Sequence, residues 1–135
     1  MAATLVRNAI AELQKNAFGP LTQSPPTSAL EKFVEGFAAY VNGGRNDCIL
    51  AVFSHHTTAH EEIRELQTLI GQQFTDWHEQ LAAVYVQLGR KPKRARREAH
   101  HLIAALYGAL MNAKLHQNAK LFASAIERLA KEVKS

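Results

Sequence analysis

The chain has 135 residues, 47% of them apolar, with sixteen Lys and Arg against twelve Asp and Glu for a net charge of +4. That length suits one domain with a real core; seven Gly and four Pro leave no low-complexity stretch, and disorder is not expected. No apolar run is long enough for a membrane span, and the amphipathic N-terminus MAATLVRNAIAELQK lacks the apolar block and cleavage site of a signal peptide, so a cytoplasmic protein is expected.

Leu5, Val6, Ala9, Ile10 and Leu13 recur at helical spacing and predict a first helix over about 3–17. The stretch Phe18 to Pro26, FGPLTQSPP, is expected to break it, because proline cannot continue a helix. Ser28 and Glu31 then read as a capping box opening a helix over about 28–42, with Leu30, Phe33, Val34, Phe37 and Val41 on its inner face. Gly43-Gly44 stops it. The segment NDCILAVFSHH predicts a short helix over about 46–56 in the middle of the core; a strand is the alternative on composition, but no second strand exists to pair with it. Cys48, the single cysteine, excludes an intrachain disulfide and reads as a buried small hydrophobe rather than a nucleophile.

A second capping box, Thr58 and Glu61, opens the longest helix, over about 59–88, marked by Ile63, Leu66, Ile70, Trp77, Leu81, Val84 and Leu88 and closed by Gly89. Pro92 suits the first turn of a helix over about 92–116, and Asn118 caps the last, over about 118–133. The class is all-α, a six-helix bundle. The two closing helices, Glu98 to Val133, hold more apolar side chains than one small domain needs, which points to a hairpin packed on its own domain and on a partner.

Chemistry-bearing residues are few. His56 and His60 share a face, with His55 beside them, yet Thr57 and Thr58 interrupt the helix and no Cys or carboxylate completes a shell; no metal and no cofactor is expected. Lys91, Lys93, Arg94, Arg96 and Arg97 fill five of seven positions at a helix start. No aromatic interleaves them, so a solvated helix start is favoured over a nucleic-acid site. No Ser/His/Asp order, phosphate loop or paired acid appears, and the chain is not read as an enzyme.

The order of three stretches resembles the C-terminal regulatory domain of the tetracycline-repressor (TetR) family of bacterial transcription factors. They are NDCILAVFS (46–54), FTDWHEQLAAVYVQLG (74–89), and the ending LYGALMNAKLHQNAKLFASAIERLAKEV (106–133). The resemblance implies a six-helix effector-sensing domain of a transcriptional regulator that binds a small apolar or amphipathic molecule in a helical cavity. It also implies a homodimer whose last two helices form a four-helix bundle. Members of that family begin with a helix-turn-helix head. Residues 1–17 offer one helix before the Pro/Gly break, so operator DNA is expected to be met only through an N-terminal domain outside this chain, with Leu5 to Leu13 as the coupling segment.

Given such a domain, helix faces assign the cavity to Phe33, Phe37, Phe53, His56, Phe74, Trp77, Leu81, Tyr85, Ile103, Tyr107 and Met111. The small residues Ala105, Gly108 and Asn112 form a separate stripe, and with His101, Phe122, Ile126 and Leu129 they are the expected dimer seam. The rival reading is a helical dimerisation or adaptor domain whose large side chains fill its core and leave no room for a ligand.

Overall fold

The computed structural model describes residues 2–54 and 60–134, and all regular structure among them is helical. The chain opens with one continuous rod: α1 (Ala2–Leu13), a π-helical turn (Gln14–Phe18) and α2 (Gly19–Gln23). The break expected at Gly19-Pro20 does not occur. In the wide turn the Gly19 N–H bonds the Gln14 carbonyl five residues back, and Pro20 falls in the first turn of α2, where its fixed φ suits the helix. The rod ends instead at Ser24-Pro25, both extended.

In α3 (Pro26–Tyr40), Pro25 takes the N-cap and Pro26 the first helical position. The capping box expected of Ser28 and Glu31 does not form: the Ser28 hydroxyl donates to the Pro25 carbonyl at 3.3 Å, and Glu31 pairs with Lys134 at 3.1 Å. Leu30, Phe33, Val34 and Phe37 turn inward. Gly36 sits directly on the wide turn of the rod, where the Asn16 carbonyl oxygen occupies the place a Cβ would take.

A left-handed turn through Asn42, Gly43 and Gly44 leads to α4 (Ile49–Ser54), which begins at Ile49 rather than at the expected 46; the expected end at 56 lies outside the described residues. The helix flanks the core instead of crossing its middle: Leu50 is buried while Val52 and Ser54 are exposed. The long helix α5 (Glu61–Gln87) has His60 at its N-cap without a side-chain cap bond, and Thr58 of the expected capping box lies outside the described residues. Gly89, at φ +101°, ends it: the Gly89 N–H bonds the Val86 carbonyl and the Arg90 N–H the Tyr85 carbonyl, a Schellman closure. Then come α6 (Pro92–Leu115) and α7 (Ala119–Glu132), the latter capped by the Asn118 side chain, which accepts from the Lys120 N–H at 3.1 Å.

With Ala2–Gln23 taken as one rod, the described residues form six helical segments and the all-α expectation holds. Their hub is Trp77 of α5. It is fully buried, stacks face to face on Phe18 at 4.3 Å and receives the edge of Phe74 at 5.1 Å. Its indole N–H donates to the Gln14 side-chain oxygen at 2.8 Å, so the wide turn supplies both the stacking ring and the hydrogen-bond acceptor. No helix among the described residues is long and apolar enough to cross a membrane.

Candidate ligand pocket

Three elements converge on a pocket of about 610 Å³. From α6 come Ile103, Tyr107, Leu110, Met111, Lys114 and Leu115, a stripe at steps of three and four that any helix would present on one side. Phe74 of α5 forms the back wall. The third wall is the approach to α4 and α4 itself, from Asp47 and Cys48 through Ala51, Val52 and Ser54. Its size and largely apolar lining suit a small organic molecule.

The polar groups are placed at two levels. At the base, the buried Cys48 thiol lies 3.2 Å from the Tyr107 hydroxyl and 3.6 Å from that of Tyr40. Burial pushes both phenols far above their ordinary value, with Cys48 adding to the rise, so both stay neutral and keep a proton to donate. At the rim, Lys114 donates to the Arg45 carbonyl at 3.0 Å and pairs with Asp47 at 3.8 Å, tying the turn before α4 to α6. The Ser54 hydroxyl is committed to the Leu50 carbonyl of its own helix at 2.8 Å. Val52, Met111 and Leu115 surround the mouth, 51%, 55% and 76% exposed.

Four of the eleven cavity residues expected from the sequence meet here: Phe74, Ile103, Tyr107 and Met111. Phe33, Phe37, Trp77 and Leu81 are instead completely buried in the solid core; Phe33 abuts Phe18 edge-on at 4.9 Å, and Phe37 packs behind Tyr107 at 5.1 Å. Phe53 is half-buried on α4, its carbonyl held by the Gln67 side chain at 2.9 Å. Tyr85 lines a different cleft, beside Arg90, and burial pushes its phenol up to about 12, Glu98 adding to the rise and Arg90 opposing it. His56, like His55, lies outside the described residues; of the histidine cluster only His60 is described.

Of the seven residues expected at a dimer seam, His101, Gly108 and Asn112 are exposed, and nothing lies within 4 Å of where a Gly108 Cβ would point. Ala105 and Leu129 are half-buried in the cleft that holds Tyr85 and His101. Phe122 of α7 packs inward. It is fully buried within the chain, a Gly44 Cβ would lie 2.6 Å from its Cβ, and its ring leans on Phe37. Ile126 borders a shallow hollow with Glu35 and Ala38, on the α3 side of α7.

Sequence reasoning missed Asp47, Cys48, Ala51, Val52 and Ser54 as wall residues, and Leu110, Lys114 and Leu115 on α6. The α6 positions carry a usable signal: continuing the Ile103, Tyr107, Met111 stripe by one turn reaches Lys114 and Leu115.

Six helical segments around an aromatic hub, with an apolar pocket between α4 and two long helices, define an all-α domain. A family model of the C-terminal domain of LmrA/YxaF-like transcriptional regulators matches residues 26–128, three quarters of the chain, and the chain belongs to this TetR-type family of regulator domains. The match starts at the first residue of α3 and takes in most of α7. No curated protein and no solved structure matches the chain.

Proposed function

We propose that this domain senses a small apolar or amphipathic molecule in the pocket between α4, α5 and α6, and that it pairs with a second copy across the outer face of α6. The observation that carries the first part is the pocket itself: an apolar slot with one hydrogen-bonding base at Cys48 and Tyr107 and a charge-balanced rim. A ligand with a hydrogen-bond acceptor would take the Tyr107 proton from a thiol, which is a weak partner. Support for the second part is the exposed line of Gly108, Met111, Asn112 and Leu115, with open space at Gly108. His101, Ala105 and Leu129 would border that contact.

Signal transfer follows the packing. Ligand bound against Ala51 and Val52 presses on α4; α4 packs on α1, whose Val6, Ala9 and Leu13 are buried. Occupancy therefore biases the position of α1, and in a regulator with a DNA-binding head it would shift the population of head spacings that fit operator DNA. The filled-core rival draws support from Trp77 and its ring neighbours. The pocket lies beside that hub, so both features fit in one domain.

Ile103→Trp tests the proposal by filling the slot. Wild-type protein should gain thermal stability with apolar compounds such as 1-octanol or longer aryl ketones, because a ligand that binds only the native state stabilises it by mass action. The variant should not. A shift of equal size in both proteins, or no shift from any apolar compound, refutes the reading.

A further inference from the structure

The basic run at the start of α6 does not face one way. Lys91 and Lys93 point to solvent, and Arg96 joins His100 and His78 on the α5 side. Arg94 and Arg97 turn into a separate cleft of about 560 Å³, between the end of α5, the start of α6 and the end of α7, where Arg90 meets them. Glu98 accepts from the Nε of Arg90 at 3.2 Å and from the Nε of Arg94 at 3.0 Å, and Arg90 also lies over the Tyr85 ring at 5.8 Å. One carboxylate thus orients two guanidinium groups and leaves their terminal N–H donors free to turn toward the cleft. Arg97 has no hydrogen-bond or ion-pair partner among the described residues. Glu132, the other acid lining the cleft, is engaged by Arg128 at 3.2 Å.

Across from the guanidinium groups the wall is apolar: Leu102, Ala105, Leu129 and Val133, continued by the Tyr85 ring. We infer that this cleft is a second ligand site, separate from the α4–α6 pocket, for an amphipathic organic anion. Its carboxylate would be taken by Arg94 and Arg97, with His101 as a further donor, and its hydrocarbon tail would lie along Leu102, Leu129 and Val133. Three guanidinium groups face two carboxylates, so the site keeps a positive excess, and a guanidinium matches a carboxylate in two-pronged geometry. A free inorganic anion would leave the apolar wall unused. A nucleic-acid backbone needs an open track of charge, whereas here the run is split between faces and its two inward arginines sit in a concavity.

The test is an NMR titration of the full chain with octanoate and, separately, 1-octanol. Octanoate should move the amides of residues 94–101, and Arg97→Gln should weaken it several-fold. Arg94→Gln with Arg97→Gln should weaken it at least tenfold, with 1-octanol unaffected. Ile103→Trp should abolish 1-octanol binding and spare octanoate, so failure of the pocket proposal is read in one ligand and failure of this one in the other. Octanoate shifts confined to residues 103–115, or an octanoate affinity unmoved by both arginine variants, would overturn the second site. It is equally overturned if the arginine variants change the oligomeric mass while octanoate binds as before, which assigns the arginines to a protein interface. Arg97→Gln alone removes an exposed, unpartnered side chain and is expected to fold normally.

Discussion

Gly36→Ala is a one-methyl change whose cost is set by backbone rather than side chains. As a solvent-exposed helix position Gly36 would gain about 1 kcal/mol from alanine. Here the new Cβ would fall on the Asn16 carbonyl oxygen, within 2.6 Å of its carbon and 3.0 Å of the Ala17 Cα. None of these atoms can rotate away. A carbon normally stands about 3.3 Å or more from a carbonyl oxygen, so α3 must withdraw from the wide turn by more than an ångström. A gap of that size forfeits a large part of the dispersion energy between the facing surfaces, which here include Phe18 against Phe33. Against the propensity gain, a net loss of roughly 2–4 kcal/mol is expected, a large share of the 5–15 kcal/mol typical of a whole domain. Urea unfolding at fixed protein concentration, followed by fluorescence of Trp77, reads this directly, since Trp77 is the only tryptophan and reports on the Phe18 stack. A variant as stable as wild type, or more so, would show that α3 does not rest on the wide turn.

Gly108→Ala is the counterpart in open space: the isolated protomer should gain about 1 kcal/mol, while a dimer closely packed there should weaken. Sedimentation at several concentrations separates the two effects, and an unchanged dimer would move the seam elsewhere on α6. Phe122→Ala should cost about 3–5 kcal/mol in chemical unfolding because it empties a fully buried ring site; a mild loss confined to dimer affinity would return Phe122 to the interface. Acid should expose His78. Burial lowers its pKa, His100 stacked at 4.0 Å adds to the fall, and the bond to the Phe74 carbonyl partly offsets it. The unfolded chain takes up that proton at its ordinary value near 6.5, so stability is full above about pH 6.5 and falls as the pH drops from there toward the folded pKa. His78→Gln should flatten that part of the stability curve; an identical slope in both proteins would count against the burial effect.

Much of the fold could be read from residues whose rules are local. Gly89 and Asn118 end and begin helices by their own backbone and side-chain chemistry, and the α5 and α6 faces follow from three- and four-residue spacing. What escaped depends on neighbours distant in sequence. Pro20 reads as a breaker under rules for an α-helix interior, and only a π turn, held in place by the Trp77 and Gly36 contacts, makes it a helix start. Ser28 looks like a cap until Pro25 takes that position. In the pocket the α6 stripe is visible in the sequence, but the wall from Asp47 to Ser54 is not, because it depends on where the left-handed turn at Asn42 to Gly44 delivers the chain. Large aromatic residues were a poor guide: the largest, Trp77, fills the core, while the less conspicuous Cys48 lies at the base of the pocket.

The wide turn also fixes a rotational phase. Each helical residue advances the chain by about 100° around its axis, and a π turn holds one residue more than an α turn. Wound as a regular α-helix with every residue kept, Ala2–Gln23 would lose the extra residue of that turn. That would swing Val6, Ala9 and Leu13 by about that angle relative to Leu21. Both groups are buried, so a regular rod could seat one set or the other but not both. The direction in which the N-terminal end of the chain leaves the domain is thus indexed by a single residue of helix.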